Sequence, residues 1–286
     1  MRTGLLVKLS ILLITFIFST ESIFSQTNFY PSDTIWRRTV HRILDLNRPK
    51  NKEMQHVYSG TAAGNKSLIQ IILNSVENFG IDAYVEVQGN RFEGLMTLNE
   101  LYNKLGGKSD TIWVEDVDNP DAPPEMQVVH EGTGLDAIER FEIIEEYFFV
   151  KKSARFGKVI IGIKPILAYV KEDPIISEEE ESEEGEGERK TYKEVAWFRF
   201  DQLRSYLEQE ELRDPANQNS YYNYLMKFES GDFESYIIKI NNSFGVGIAD
   251  YTDADENSNE PTLQMILESR RIEYELFNFE MNLWEF

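Results

Sequence analysis

The sequence contains no cysteine, and this absence excludes several kinds of site at once. Without thiols there is no disulfide, no metal bound through thiolates and no lipid on an N-terminal cysteine. Histidine is scarce as well: His41, His56 and His130 are scattered without the spacing of metal ligands. The sequence also lacks the serine elbow of hydrolases and the histidine-glutamate helix of zinc proteases. These absences predict a protein without cofactor or metal, and they indicate that it is not an enzyme.

Basic residues are also few in comparison with acidic ones. Lysine and arginine number 29 against 50 aspartate and glutamate residues, which gives a formal net charge of −21. So acidic a chain is not expected to bind nucleic acid, or an anionic membrane surface unaided. Carboxylates are so numerous that close pairs arise by chance, and none stands out as a catalytic acid and base. The oxygen-rich loops at 115–125 and 253–257 lack the glycine and glutamate positions of a calcium loop, so we expect them to be solvated.

Long apolar runs are missing beyond the N-terminus. The apolar stretch from Leu9 to Phe18 is too short to span a bilayer. With Arg2 and Lys8 nearby and Ile23-Phe24-Ser25 as a cleavage site, it predicts a signal peptide over residues 1–25. We therefore expect an exported, soluble and unlipidated protein without a direct membrane span.

One short segment departs from the general acidity. Between Asp33 and Lys52, two acidic residues stand against six basic ones: Arg37, Arg38, Arg42, Arg48, Lys50 and Lys52. This basic patch predicts either a contact with an acidic surface, on this chain or another, or an ordinary solvated face. The apolar residues of the segment fit a helix capped by Asp33, which we favour. A strand is the alternative, because alternate residues from Trp36 to Leu44 also fit.

Residues Gly60 to Ser67 resemble a phosphate-binding loop, but their spacing is wrong. Such a loop needs four residues between its glycines and a lysine directly after the second. Ser67 instead predicts a helix cap, with Gln70 three residues later and Gly80 as the stop signal. The elements expected next are a strand at Ile81–Val87, a turn at Gly89-Asn90 and a short helix near Leu98–Leu105.

The middle of the chain is rich in β-branched and aromatic residues. Phe141–Lys151 and Lys158–Val170 predict a buried hairpin, with Pro165 at a bulge or an edge. The tract Glu178–Glu188, within an insertion at 177–190, cannot pack and is predicted to be disordered. The later elements expected are a buried strand at Val195–Phe200, a helix capped by Asp201 that reaches Leu212, a helix near Tyr221–Phe228 before Gly231, and a strand at Tyr236–Ile240.

The C-terminal segment from Pro261 to Phe286 is the longest periodic stretch and predicts a long amphipathic helix. Its main apolar stripe is Leu263, Ile266, Leu267, Tyr274, Phe277, Met281 and Trp284. A second apolar set widens the stripe near the end: Leu276, Phe279, Leu283 and Phe286. Two interpretations remain open: a helix packed on its own domain, or a helix that shares a subunit contact.

Together these elements predict an α+β fold, in which central antiparallel strands are flanked by amphipathic helices. We expect an N-terminal α/β part over 26–135 and a C-terminal part over 136–286 with the hairpin, the insertion and the later helices. The order of helix, glycine stop and strand occurs in both halves, so a weak internal duplication is one interpretation.

Six stretches form a pattern: Trp36 with Arg42–Leu46; Asp82–Tyr84; Tyr147–Phe149 with Ile160–Pro165; Trp197 with Asp201–Leu207; Ser235–Lys239; and Glu275–Glu280 with Leu283–Phe286. In this order, over nearly the whole chain after the leader, they resemble the GldN (PorN) family. That family belongs to the gliding-motility and type IX protein secretion machinery of Bacteroidetes.

The resemblance implies a structural periplasmic protein at the inner face of the outer membrane. It implies a ring built with other copies of the chain and a lipoprotein of the GldK (PorK) type, together with a GldL–GldM motor. The lipoprotein would supply the membrane attachment that a chain without cysteine lacks. The alternative is a monomeric periplasmic domain that binds a ligand or acts as an enzyme.

Candidate interface residues come from the basic patch and from the aromatic C-terminal end. They are Trp36, Arg37, Arg38, Arg42, Phe277, Phe279, Trp284 and Phe286. Aromatic residues and arginines are the usual anchors of protein interfaces, and a ring subunit needs complementary surfaces for its neighbours.

Overall fold

A computed structural model describes the larger part of the chain. The described residues are 34–57, 60–61, 65–106, 108–114, 125–131, 134–151, 154–170, 190–212, 222–241, 246–250, 252 and 261–283. The predicted leader, the glutamate tract, the loop residues 115–124 and 253–257, and both Trp284 and Phe286 lie outside these residues.

The strands are β1 (Thr34–Asp45), β2 (His56–Val57), β3 (Gly60–Thr61), β4 (Ala83–Val87), β5 (Asn90–Met96), β6 (Lys108–Val114), β7 (Glu125–Glu131), β8 (Ile138–Val150), β9 (Arg155–Val170), β10 (Lys190–Glu194), β11 (Phe198–Arg199) and β12 (Ser235–Ile240). The α-helices are α1 (Leu68–Phe79), α2 (Leu98–Lys104), α3 (Phe200–Gln209), α4 (Tyr224–Ser230) and α5 (Leu263–Leu283). Short 3-10 helices occur at Pro49–Met54 and Leu135–Ala137.

An antiparallel sheet of six strands organises the described residues. Its order is β10, β9, β8, β1, β12, and β11 pairs with β9 beyond the end of β10. Three separate pairs accompany it: β2 with β3, β4 with β5, and β6 with β7. The predicted α+β class, with antiparallel strands and a long C-terminal helix, is confirmed. The division near residue 135 and the internal duplication stay predictions.

Strand β1 occupies the segment for which we favoured a helix. That preference is wrong, and the strand alternative is the one that forms. β1 pairs with β8 along its whole length and with β12 from Val40 to Leu44. These two neighbours decide between patterns that fit the sequence equally well, since strand preference depends on tertiary context. The strand places Arg38 and Arg42 on one face of the sheet and Arg37 and His41 on the other.

The predicted hairpin of β8 and β9 is confirmed, but Pro165 marks neither an edge nor a bulge. Pro165 pairs with Phe141 inside the sheet, and its carbonyl oxygen accepts a hydrogen bond from the backbone N–H of Val195 on the outer side. Its missing N–H points to that same outer side. There β10 ends at Glu194 and β11 begins only at Phe198, and the carbonyl oxygen of Val195 accepts from Nζ of Lys104 at 2.8 Å in place of a bond from residue 165.

This interruption also corrects the strand predicted for Val195–Phe200. Residues 195–198 are buried as expected, but β11 contains only Phe198 and Arg199. Trp197 leaves the sheet and exchanges both backbone hydrogen bonds with Tyr84 of β4, at 2.8 and 2.9 Å. Helix α3 then begins at Phe200, and Asp201 lies in its first turn rather than at the cap.

Local signals place the other helices well. The capping box of Ser67 and Gln70 is present at the start of α1, and Gly80 ends it with a φ of 67°, a value that glycine adopts without strain. Helix α2 has a similar box at Thr97 and Glu100. Asn223 caps α4, whose backbone donors need a side-chain acceptor at this end.

The largest apolar cluster lies between the sheet and the helices α1, α3 and α4, around Phe141, Phe198 and Phe228. A smaller cluster joins Val40 and Ile237 of the sheet to Ile272 and Leu276 of α5. The pair β4 and β5 covers the face of the sheet that carries Ile144, where Tyr84 and Trp197 are buried. Helix α5 is therefore attached to the sheet through its own separate core.

Candidate protein-interaction surface

The attachment of α5 centres on the buried guanidinium of Arg42. Its Nε lies 2.5 Å from Oε2 of Glu145, and its Nη1 lies 2.6 Å from Oε1 of Glu273 on α5. Its Nη2 donates to the hydroxyl of Tyr147 at 3.0 Å. Arg42 thus links β1, β8 and α5 by hydrogen bonds that only a planar, multiply donating group can make together.

Glu145 is the second member of this network and is fully buried. Its Oε1 lies 3.1 Å from Nζ of Lys158, so two cations face one carboxylate. Burial acts to raise the pKa of Glu145, but Arg42 and Lys158 outweigh it and hold that pKa below its ordinary value. Burial likewise acts to lower the pKa of Arg42, yet the carboxylates of Glu145 and Glu273 raise it. Both groups stay charged near neutral pH.

The hydroxyl of Tyr147 completes the network and remains protonated. It accepts from Arg42 and donates to Oε2 of Glu145 at 3.1 Å. Burial raises the pKa of Tyr147 to about 12, in spite of the opposing effect of Arg42. The proton is therefore available to satisfy the carboxylate at any physiological pH.

A second contact to α5 is aromatic. The rings of Trp36 and Phe279 stack with centroids 4.4 Å apart, and Phe156 lies 5.9 Å from Trp36 and 6.0 Å from Phe279. Such offset aromatic contacts add to the free energy of simple burial. Trp36 and Phe279, both proposed as interface residues, thus contact each other within one chain.

A third contact sets the position of α5 along the sheet. The pairing of β1 with β12 is irregular between His41 and Arg42, and the backbone N–H of Ile237 turns away from β1. It donates instead to Oγ of Ser269 at 2.7 Å. Ser269 is buried in the middle of α5, so this bond satisfies a backbone donor that water does not reach.

The residues of the basic patch do not form one surface, because β1 and the segment after it place them beside different partners. Arg37 pairs with Glu146 at 3.1 Å, Lys50 with Asp232 at 3.0 Å, and Arg42 is buried as described. Arg38 is exposed, and no ion pair to another described residue is found for it. For Arg42 the acidic surface is on the same chain, whereas Arg38 remains available.

Helix α5 is apolar on two opposite faces. The residues that face the sheet are Met265, Ser269, Ile272, Leu276 and Phe279. The face about half a turn away carries Leu263, Leu267, Tyr274, Phe277 and Met281, which we call the outer apolar row. Its members are 48–70% exposed. Most of the main apolar stripe predicted for the C-terminal helix thus faces solvent, and the second apolar set, with Leu276 and Phe279, contributes to the face on the sheet.

A cleft of about 550 Å³ runs beside α5, between the helix and the edge of β12. Arg48, Lys158 and Arg270 contribute positive charge to its lining, and Glu234 and Glu273 contribute negative charge. A smaller recess of about 230 Å³ lies on the other side of the pair between Arg42 and Glu273, next to Phe156 and Phe277. Helix α5 is consequently accessible along its side as well as along the outer apolar row.

A family model described as "Gliding motility associated protein GldN" matches residues 30–285. The chain belongs to the GldN family. A search of curated proteins finds no match. Membership of the GldN family associates the chain with gliding motility and with type IX secretion, in which this family is a structural component and not a known enzyme family.

Two further observations accompany the GldN assignment. In the part of the chain that the structure describes, no group of three or more histidine or acidic side chains is placed to hold a metal ion. No described helix combines the length and the apolar character needed to cross a membrane.

The family assignment leaves open which residues make contacts, and sequence reasoning missed three that position the surface. Glu145, Glu273 and Ser269 hold α5 in place, but glutamates are too numerous here to single out by type. The apolar run of β8 does carry a signal, because Glu145 and Glu146 stand together between two isoleucines and three aromatic residues. A carboxylate in such a run predicts a buried partner.

Proposed function

We propose that this GldN-family chain is a periplasmic scaffold subunit of the type IX secretion and gliding machinery. It forms a ring with other copies of itself and with a lipoprotein of the GldK (PorK) type, and the ring works with a GldL–GldM motor. The family assignment supports the machinery as a whole. The observation that supports a binding role for this chain is the outer apolar row.

Five large apolar side chains on one exposed helix face make an unusual surface for a protein that works alone. Single exposed apolar residues are normal, whereas a continuous group on one face marks a contact site. The row spans the length of α5, which the network of Arg42 and the stack of Trp36 on Phe279 attach to the sheet. An apolar face that is already held in position needs little ordering when it binds.

The candidate interface residues divide into two groups in this proposal. Phe277 belongs to the outer apolar row and contacts a partner directly, and Arg38 faces an acidic partner surface. Arg37 lies on the opposite face of the sheet, where it pairs with Glu146 and is half-exposed, and it contributes to a separate contact. Trp36, Arg42 and Phe279 act indirectly because they fix α5 on the sheet. Trp284 and Phe286 lie outside the described residues and stay candidates on the sequence alone.

The periplasmic location rests on the leader predicted over residues 1–25. Membrane attachment comes from the lipoprotein partner, since the chain has no cysteine to carry a lipid.

Purification of the tagged chain from the cell envelope, followed by native mass measurement, tests the proposal. We expect a large complex that contains several copies of this chain and a lipoprotein. Phe277→Asp should reduce recovery of the complex at an unchanged level of folded subunit. Met226→Asp, at an apolar residue that is 44% exposed on α4, is the matched control and should leave recovery unchanged. A monomer of normal stability, free of other proteins, would contradict the proposal.

A further inference from the structure

The residues of the outer apolar row are spaced regularly, and this spacing indicates a specific kind of partner rather than nonspecific apolar contact. Taken with Arg270, its members are Leu263, Leu267, Arg270, Tyr274, Phe277 and Met281, and the steps between them are four, three, four, three and four residues. These are consecutive first and fourth positions of a seven-residue repeat. Such a repeat keeps one face of a helix turned toward a second helix along its whole length.

The repeat does not serve the packing of α5 on its own sheet. The sheet is contacted through Ser269, Ile272 and Leu276, which lie on the opposite face of the helix. The row extends over 19 residues, from Leu263 to Met281, or about 27 Å of helix. That length offers room for about five turns of a partner helix.

We propose that the outer apolar row and Arg270 form a coiled-coil seam that binds one amphipathic helix of a different protein. The inference rests on the proposed scaffold function and names the class of partner for one surface. The partner helix carries apolar residues at its own first and fourth positions, so that side chains of the two helices interlock. It also carries a carboxylate opposite Arg270.

Arg270 is the reason why the partner helix must carry a carboxylate. Its position in the seam places it among apolar side chains, and no ion pair to another described residue is found for it. A partner helix that covers the seam removes the guanidinium from water, and an arginine covered in this way needs an acceptor. A glutamate on the flank of the partner helix satisfies this need, and flanking charges of this kind select partners in coiled coils.

A second copy of α5 fits the seam poorly. In a parallel pair each seam position meets its own copy, so Arg270 faces Arg270. In an antiparallel pair centred on the row, the carboxylate of the other copy nearest Arg270 is Glu273, which Arg42 already binds within its own chain. The parallel arrangement brings like charges together and the antiparallel one offers Arg270 no free carboxylate, so both disfavour pairing of identical helices. The charges of α5 therefore favour a helix from another protein.

Two synthetic peptides test the seam. Each has 21 residues with leucine at the first and fourth positions of three repeats, and they differ only at the flanks of the central repeat. One carries glutamates there and the other lysines. Because Arg270 lies near the middle of the row, the central flanks come opposite it whichever way the peptide runs. Binding to the purified mature chain is measured by fluorescence anisotropy of the labelled peptide.

The glutamate peptide should bind at least about tenfold more tightly than the lysine peptide, since an opposed charge replaces a like one. Arg270→Glu should reverse this order. Leu267→Asp should weaken both peptides by more than about tenfold, and Tyr274→Asp provides a second variant of the same kind. Met226→Asp, at the exposed residue of α4, should change neither affinity. Melting curves establish that each variant is folded.

The proposal would be overturned if the two peptides bound equally well and Leu267→Asp weakened neither. It would also be overturned if the wild-type chain preferred the glutamate peptide and Arg270→Glu kept the same preference. Sedimentation provides the remaining outcome: a wild-type dimer that Leu267→Asp dissociates would assign the seam to a second copy instead. If the envelope complex survives Leu267→Asp and the peptides do not bind, the seam fails while the scaffold function stands. If the peptides bind as expected but no envelope complex exists, the scaffold function fails.

Discussion

The indole of Trp36 stacks on the ring of Phe279, with centroids 4.4 Å apart and planes inclined by 23°. One residue lies near the start of β1 and the other near the end of α5, so the contact joins the two ends of the described chain. It places the C-terminal part of α5 on the sheet. The strength of this contact is directly testable.

Phe279→Ala should lower the free energy of unfolding by about 2 kcal/mol, roughly half the loss typical of a fully buried phenylalanine, because Phe279 is half-buried. Denaturant titration followed by tryptophan fluorescence measures this loss. The matched control is Phe277→Ala, two residues earlier and 55% exposed, for which we expect less than about 0.5 kcal/mol. Equal losses at the two positions would contradict the stacking.

Glu145→Gln should destabilise the protein by about 3 kcal/mol. The substitution keeps the shape of the side chain but leaves the buried guanidinium of Arg42 without its nearest counter-charge, and a buried charge without its partner is costly. Glu273→Gln removes the other carboxylate, whose side chain is 40% exposed, and should cost less than about 1 kcal/mol. Chemical denaturation of both variants compares them, and the reverse order would rule out Glu145 as the main partner.

Stability should fall as the pH drops below about 5. The pKa values of Glu142 and Glu145 are held below their ordinary value in the folded protein, by His41 and Lys164 for the first and by Arg42 and Lys158 for the second. The unfolded chain therefore binds more protons in acid, and the stabilisation present above the unfolded pKa is lost as the pH falls through the folded one. Urea titrations between pH 7 and 3 measure the slope, which should be smaller in Glu145→Gln.

Ser269→Ala should cost about 1–2 kcal/mol, because it leaves the N–H of Ile237 without an acceptor in a buried place. Hydrogen exchange should become faster at Ile237. Ser205→Ala, on the exposed side of α3, is the control and should leave both quantities nearly unchanged. Unchanged protection of Ile237 in Ser269→Ala would show that Ser269 does not hold this amide.

Among the residues of the basic patch that can be substituted without unfolding the protein, Arg38 should have the largest effect on assembly of the envelope complex. Arg38→Glu should lower recovery of the envelope complex, and added salt should weaken the wild-type contact. Lys52→Glu, also exposed and basic, is the control. Arg42 is unsuitable for this test, since its reversal places two buried like charges together. If neither Arg38→Glu nor added salt changed recovery of the complex, the face of β1 that carries Arg38 would be an ordinary solvated surface.

Local chemistry explains which elements could be predicted from the sequence. The box of Ser67 and Gln70 and the stop at Gly80 depend on neighbours within a few residues, and all three lie where expected. The segment from Trp36 to Leu44 satisfies both a helical and a strand pattern, and only its distant neighbours β8 and β12 decide. Periodicity left this segment open between a helix and a strand, the helix that we favoured is wrong, and periodicity could not supply the partners of the strand.

The candidate surface likewise combines features that local sequence predicts with features that depend on distant residues. The helix α5 and its apolar residues were predictable, but both of its faces are apolar, so periodicity could not tell which one meets the sheet. The inner face includes Ser269, whose role depends on a donor in β12. The partners of Arg42 could not be predicted in the same way, since the apolar run around Glu145 indicates burial but not which residue it meets, and nothing local distinguishes Glu273 from other glutamates.

The interior place of β1 governs the order in which the chain can fold. Its neighbour β8 lies roughly 100 residues later and its other neighbour β12 roughly 195 residues later, whereas β8 and β9 are joined by a short turn. Contacts that close long loops form slowly, and local hairpins form fast. The first strand to be synthesised therefore waits with both edges unpaired until β8 has been made, at about half of the chain, and with one edge unpaired until β12 follows. Unpaired edges promote aggregation, so slow release of the chain should favour misfolding at β1 more than at any other strand of the sheet.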